Sequence, residues 1–478
     1  MRATAAAAVV ALLPAVLAAQ PADRRPPSPE PPRALKLPPV QKLALGNGLP
    51  VHLVEAHEVP VVEVTLVVRS GSSADPRGRA GLATFTADML DEGAGGRDAL
   101  ALADAVDFLG AEITAAASWD HSVVGLYVPV ARLEEALALM ADVALRPAFP
   151  EKETERLRRQ GLTSLLQARA DPRQVASWAL VQALFGKDHR YGRLASGDAA
   201  SLSAMTVADV RTFHTRHYRP GNAALVVVGD VDRGVMPLLE EAFGAWPRGD
   251  TPAQPVPEPP QVKGRRIVLV DKPGAAQSVI RIGRVGPPRR TPEHHAIEVM
   301  NTLLGASFTS RLNDNLREQH GYAYGAGSGF NYRLVAGQFL AAADVQTPST
   351  APALTEFLKE LERIRTPAAA EEIERARNYL ALGFAEEFET VRQIAAKVAE
   401  QIVYLLPEDY YLTFVPAALA VDVEQARAAA AATIDPAHLV IVVVGDRQVI
   451  EAPLRALDVA TIEVRTLDEV MGPPPRVE

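Results

Sequence analysis

The chain has 478 residues, too many for one ordinary core, so two or more domains are the starting expectation. Its 48% apolar and 22% charged content is ordinary for a globular protein, and 49 basic against 58 acidic residues, formally −9, argue against non-specific nucleic-acid binding, which needs a concentrated basic face. No cysteine is present, which excludes disulfides, thiolate zinc sites, iron–sulfur clusters and a cysteine nucleophile.

Residues 1–19 read as an export signal. Arg2 is a short basic region, Ala5 to Val16 is an apolar stretch broken by Pro14, and Leu17-Ala18-Ala19 supplies small residues before Gln20. The stretch is short for a bilayer span, with an uncleaved anchor as the alternative reading. No later segment has the run of about 20 apolar residues that a membrane helix needs. The expectation is a periplasmic or secreted protein without stable membrane insertion. Residues 20–40 are Pro-rich from Pro21 to Pro32 and read as an extended tether.

A first domain is expected over 41–247. Val61 to Val68 mixes β-branched residues with alternation and predicts a strand. Ala80 to Asp91, Ala99 to Leu109 and Leu133 to Ala144 have helical spacing. Glu151 to Ala168 is a long Glu/Arg-rich helix that ends before Asp171-Pro172, and Leu225 to Val228 is a short buried strand. Residues 248–265 hold Pro252, Pro255, Pro257, Pro259 and Pro260 and read as a linker. A second domain over 266–466 and a tail over 467–478 follow.

The two domains repeat one another. Tyr218-Arg-Pro-Gly-Asn-Ala-Ala-Leu-Val-Val-Val-Gly-Asp230 is echoed by Ile434-Asp-Pro-Ala-His-Leu-Val-Ile-Val-Val-Val-Gly-Asp446 at an offset of 216. Val62 to Gly71 is echoed by Gln277 to Gly286 at an offset of 215. Two landmark strands at almost one offset predict a duplicated domain. Strands grouped with helices, without strict alternation, predict α+β layers.

Several phrases carry a resemblance through their order and spacing. They are Leu45-Gly-Asn-Gly-Leu-Pro-Val-His-Leu-Val-Glu, Arg69-Ser-Gly-Ser-Ser-Ala-Asp-Pro with Ala80-Gly-Leu-Ala, His189-Arg-Tyr-Gly-Arg with Gly197, and Tyr218-Arg-Pro-Gly-Asn. The most specific is Ser310-Arg-Leu-Asn-Asp-Asn-Leu-Arg-Glu-Gln-His-Gly-Tyr-Ala-Tyr-Gly325. From Lys42 to Arg465 the chain resembles the insulinase (pitrilysin) family of zinc peptidases, particularly its two-subunit processing-peptidase branch. The resemblance implies two homologous mitochondrial-processing-peptidase-like domains, each a mixed or antiparallel sheet packed with helices, duplicated about the Pro-rich linker.

Active members of that family carry His-x-x-Glu-His on the first helix of one repeat. Two imidazoles one turn apart hold zinc, and the Glu acts as general base on its bound water. Between Gly81 and Gly93 the motif positions fall on Thr84, Ala87 and Asp88. The third ligand, a Glu eight or nine residues before Asp171-Pro172, is replaced by Thr163 or Ser164. Hydroxyls and one carboxylate cannot stand in for two imidazoles and a carboxylate at zinc. No cofactor is expected in this chain.

Other groupings offer further candidates. Asp88, Asp91 and Glu92 along one helical turn could suit a hard cation or be a solvated helix end. His214 and His217 have chelating spacing without an apparent third ligand. His295-Ala-Ile-Glu298-Val299 is a broken zinc motif, and Gly71-Ser72-Ser73 lacks the context of a nucleophile elbow.

Arg317 and Tyr324 remain. By composition alone they are a helix-end charge and a half-buried strand aromatic. The resemblance implies instead a pair, seven residues apart, that holds the substrate backbone and polarises the scissile carbonyl at a zinc site. Tyr322 stands close by as a competitor for the Tyr role, and the spacing favours Tyr324. The implied function is a non-catalytic, substrate-binding subunit of a heterodimeric zinc endopeptidase that lends Arg317 and Tyr324 to a homologous zinc-bearing subunit, with peptides as substrate. The alternative is an inert scaffold or peptide-binding protein of the same fold.

Overall fold

The computed structural model describes residues 35–251 and 255–476; the expected signal and most of the tether lie outside them. Two six-stranded sheets organise the described residues. The first joins β1 (Gln41–Ala44), β2 (Pro50–Glu55), β3 (Val61–Val68), β4 (Glu112–Ala117), β5 (Ser122–Pro129) and β6 (Ala223–Gly229) in the order β1-β2-β6-β3-β5-β4. The second joins β7 (Arg266–Asp271), β8 (Gln277–Gly286), β9 (Ala323–Asn331), β10 (Gly337–Gln346), β11 (Val440–Gly445) and β12 (Thr461–Arg465) in the order β9-β10-β8-β11-β7-β12.

These are one topology written twice. Parallel β2–β6 corresponds to parallel β7–β11, and antiparallel β3–β6 to antiparallel β8–β11. The pair Val64–Val227 recurs as Ile280–Val443, both partners 216 residues on. The strand echo read at 215 therefore aligns at 216 once hydrogen-bond partners set the register. The outermost strand breaks the symmetry: β1 enters from the start of the chain, antiparallel to β2, while β12 comes from its end, parallel to β7.

The helices used below are α1 (Leu82–Asp88), α2 (Ala99–Phe108), α3 (Leu133–Leu145), α4 (Glu151–Ala170), α5 (Pro172–Phe185), α6 (Val207–His217), α7 (His294–Asn301), α8 (Thr350–Arg363), α9 (Val391–Tyr404) and α10 (Leu467–Met471). The Asp171-Pro172 step both ends α4 and starts α5. Pro sits at the first helical position, where its missing N–H costs nothing, and the Asp171 carboxylate accepts from Arg173 N–H at 2.9 Å.

Strand β3 is Val-rich and buried along nearly its whole length, so it needs cover on both faces. Val62, Val64, Leu66 and Val68 face the larger core with α1 and α3. On the other face Val67, with Val54, Val226 and Val228, packs against Ala395, Val398, Ala399 and Val403 of α9, a helix from the second half. The exchange is reciprocal. Helix α5 of the first half lies on β8 and β11 of the second, where Val175, Ala176, Ala179 and Leu180 share a core with Val268, Val270, Val279, Val440 and Val442. The side chain of Leu180 comes so near Gly283 that a Cβ there would sit 3.1 Å from it.

Both ends differ from the sequence expectation. Leu35 and Leu37, within the expected tether, pack on the second core. The expected tail instead carries α10, which buries Val470 and Met471 against α5 and is tied by Gln182 to Val470 O at 3.1 Å.

The hairpin between β9 and β10 is latched into the first half. Arg333 is 3% exposed and lies between Trp119, Tyr191 and Phe185, 4.0, 4.7 and 4.8 Å from their ring centres. It donates to Tyr191 O at 3.2 Å. Burial pulls its guanidinium down to about 10, still cationic at neutral pH. Beside it the Asp120 carboxylate accepts from Tyr191 OH at 2.7 Å and from Leu334 N–H at 2.8 Å.

His214 and His217 end α6 as packing residues rather than a chelating pair. His214 faces Ala144 O at 2.8 Å and stacks on Tyr218. His217 is buried against Ser70 Oγ at 3.0 Å, and burial, with Arg216 adding, lowers its ring to about 4.

Two outcomes follow from this packing. Arg333→Ala should lower unfolding stability by about 3 kcal/mol, the scale of a buried side chain stacked on several rings. Arg333→Lys should recover less than half, since an ammonium cannot lie flat among them. A urea midpoint unmoved by the alanine would refute the latch. For His217 the folded chain prefers the neutral ring, so its contribution is complete above about pH 6.5 and drains away as pH falls toward 4, by roughly 3 kcal/mol in all. Asp75 and Glu63, both raised to about 7 by burial, act with the opposite sign: their contributions are full at low pH and lost as pH rises through 7. A ring titration by NMR therefore isolates His217, and a midpoint above 6 would contradict its burial.

Candidate functional site

The two halves present different chemistry at corresponding places. In the first half, α1 starts from Gly81, which has φ 87° and whose Cβ, if present, would meet Gly197 at 2.7 Å. The Asp75 carboxylate accepts from the N–H groups of Gly81 and Ala83 at 2.7 and 2.8 Å, satisfying orphan donors of the first turn. The helix that would carry the zinc motif is thus firmly placed.

Its side chains do not fit zinc. Thr84 spends its hydroxyl on Ala195 O at 2.7 Å. Ala87 is fully buried, with no functional group. Asp88 is exposed, and its carboxyl is raised to about 6 by the desolvating protein around it, with Asp91 and Glu92 adding like-charge repulsion. Because Asp88 keeps solvent contact, water softens both the burial penalty and the repulsion. On α4, the Thr163 hydroxyl donates back to Arg159 O at 2.8 Å and Ser164 faces solvent. Among the described residues no group of three or more His, Cys, Asp or Glu could hold a metal ion.

The other groupings resolve in the same direction. Glu92 pairs with Arg156, so the acidic end of α1 is a solvated, partly neutralised surface. On α7, Val299 is fully buried, and His295 packs on Tyr410 and Phe414. Glu298 accepts from Tyr332 OH at 2.7 Å, with its carboxyl raised by burial. Ser72 is buried beside the tight approach of Gly71 to Ser118 O.

In the second half Arg317 and Tyr324 do come together. Two π-helical turns, Thr302–Ala306 and Asp314–Gln319, precede β9, and Arg317 sits in the second. Such turns often mark functional positions because they aim a side chain out of the regular ladder. The Arg317 guanidinium carbon lies 5.2 Å from the Tyr324 ring centre and 4.7 Å from that of Phe308. Its Nε is 3.2 Å from Glu318 Oε1. Tyr324 is 88% exposed, not half-buried as composition suggested, and Phe308 is 68% exposed. Arg317 is thus held between two solvent-facing rings, an open slot with a cation at its base.

Tyr322 points elsewhere. It packs on the second core, and its ring stacks 5.0 Å from His320. The exposed phenol beside Arg317 is Tyr324. Sequence reasoning missed Phe308, whose only signal was a lone aromatic between Gly305 and the Ser310-Arg-Leu phrase.

Known proteins share this architecture. Residues 51–196 match the family model described as Insulinase (Peptidase family M16), and residues 204–380 match that described as Peptidase M16 inactive domain. An uncharacterized zinc protease of Mycobacterium bovis is 32% identical over 300 residues, covering 62% of this chain and 68% of that protein. One of Mycobacterium leprae is 32% identical over 288 residues, covering 60% and 64%. A Helicobacter pylori protein named non-peptidase homolog YmxG is 24% identical over 291 residues, covering 60% and 66%. Among solved structures, a peptidase M16 inactive domain from Pseudomonas fluorescens superimposes with a TM-score of 0.80 at 28% identity, covering 85% of this chain and 98% of the other. By sequence and by fold, the chain belongs to the M16 (insulinase) peptidase family.

Proposed function

We propose that this chain is a non-catalytic, substrate-binding subunit of a two-chain zinc endopeptidase, exported to the periplasm or beyond. The observation that supports this most is the asymmetry of the two halves. An open slot of Arg317, Tyr324 and Phe308 is intact, while the corner that would hold zinc offers a committed hydroxyl, a methyl group and one crowded carboxylate.

The slot suits an extended peptide. The Arg317 guanidinium has a rigid fork of donors for backbone carbonyls, and the two rings hold it in place without using those donors. The Tyr324 phenol can donate to the carbonyl oxygen as negative charge develops on it, a contact worth on the order of 3 kcal/mol of barrier in comparable sites. A homologous partner carrying His-x-x-Glu-His would supply the zinc chemistry that this chain lacks. A second reading, an inert scaffold or peptide-binding protein, draws support from the non-peptidase name of the Helicobacter pylori relative.

Mixing the purified chain with a zinc-bearing homologue of its host separates the readings. The mixture should cleave unfolded peptides with one zinc per pair of chains. Arg317→Ala and Tyr324→Phe should each reduce kcat/KM by about 100-fold or more without preventing association. Peptide capture with no cleavage in any pairing would favour the scaffold. Stoichiometric zinc and cleavage by the solitary chain would overturn both.

A further inference from the structure

The slot raises a physical question. Tyr324 and Phe308 are so exposed that almost no packing fixes them, and β9 has a register irregularity between Ala323 and Ala326, where Tyr324 leaves the regular ladder with β10. Neither side-chain burial nor regular strand pairing therefore sets the position of the Tyr324 ring.

One buried side chain supplies both missing restraints. Asn313 is 5% exposed and lies one turn before Arg317. Its Nδ2 donates to Phe308 O at 2.7 Å, and its Oδ1 accepts from Ala326 N–H at 3.2 Å. A carbonyl on one side and an N–H on the other fix which way the amide points, and only an amide offers a donor and an acceptor together at this size. The first bond holds the segment bearing Phe308, and the second holds the strand just beyond Tyr324, where the ladder resumes.

We infer that Asn313 is a positioning residue for the substrate slot, setting the spacing of the two rings between which Arg317 is held. Its geometric claim concerns this chain alone, and its functional consequence rests on the reading of Arg317 and Tyr324 as the substrate pair. Asn301 provides a natural contrast. It is equally buried and also bonded to β9, through Ser328 Oγ at 2.7 Å and Ser328 O at 3.3 Å, but it holds the strand beyond the slot.

The arginine Nε–H resonances of the full-length, isotope-labelled chain test this directly, with Arg317→Lys identifying the Arg317 signal. In the native chain that signal should be displaced by the ring currents of Phe308 and Tyr324. Asn313→Leu should return it to the position of a free arginine. Asn313→Asp keeps the acceptor for Ala326 but loses the donor to Phe308, and should move it part of the way. Asn301→Ala should leave it in place at a similar cost in thermal stability, which general destabilisation would not do. If Asn313→Leu does not fold, the Asp variant decides alone. An Arg317 signal unmoved in the folded Asn313 variants overturns the inference. In the mixed two-chain enzyme Asn313→Asp should weaken Arg317-dependent cleavage about tenfold, the scale of one lost buried hydrogen bond. A displaced Arg317 signal with unchanged cleavage would leave Asn313 as the positioning residue and count instead against Arg317 and Tyr324 as the substrate pair.

Discussion

Each half of this protein covers a sheet face of the other. The Val-rich faces of β3 and β6 are closed by α9, and those of β8 and β11 by α5. Burying a Val or Leu side chain is worth about 1.5–3 kcal/mol, so either sheet stripped of its borrowed helix would expose a contiguous apolar face worth many kcal/mol. Two six-stranded sheets of like topology therefore do not amount to two self-sufficient folding units, and the described residues form one compact unit. The Pro-rich segment 248–265 joins halves that are already locked by packing, which is why it needs no core of its own.

That exchange constrains the slot from a distance. The β9 strand carrying Tyr324 runs on into the hairpin that Arg333 latches among Trp119, Tyr191 and Phe185. The loop after β8 is held to it as well: Arg289 pairs with Glu400 of α9 at 2.6 Å and donates to Tyr410 OH at 3.0 Å, while its backbone N–H meets Arg333 O at 2.8 Å. The far end of β9 is thus anchored to the first half by one buried cation, and to α9 through a second. At the near end, Asn315 donates to Glu356 and Glu360 of α8, both at 2.9 Å, and so ties the π-helical turn of Arg317 to the second core. A strand pinned at both ends has little backbone freedom left to lose when a peptide arrives, which favours binding.

Much of the fold could be read from the sequence where the signal was local. The strand Val61–Val68 and the helices beginning at Leu133 and Glu151 follow from β-branched runs and helical spacing. The duplication showed in two echoed strands. What sequence could not show was long-range. Strand β3 is buried on both faces because its cover comes from Ala395, Val398 and Ala399, over 300 residues away, and no periodicity within eight residues reveals that. The segment after 466 looked like a tail because it is short and polar, yet Val470 and Met471 find the cleft beside α5. Arg317 and Tyr324 stood out only through a resembling phrase. Phe308 and Asn313 did not stand out at all, because an exposed Phe and a buried Asn owe their roles to contacts across a strand irregularity.

The two corners have different physical terms. A position such as Ala87, with no accessible surface, accepts a carboxylate only if a metal, an ion pair or hydrogen bonds satisfy it. Without them, a buried Glu among the apolar neighbours of α1 is a net cost, and alanine removes it. Thr84 likewise settles its one donor on Ala195 O and leaves nothing unsatisfied. A corner without zinc ligands is therefore more comfortable for the fold than one with only some of them. The slot pays no such penalty. Arg317 has Glu318 and two ring faces beside it, and Tyr324 stands in water, so neither group burdens the folded chain. Stability alone gives the second half no reason to shed this pair, and it gives no reason for two large rings to face solvent around a guanidinium.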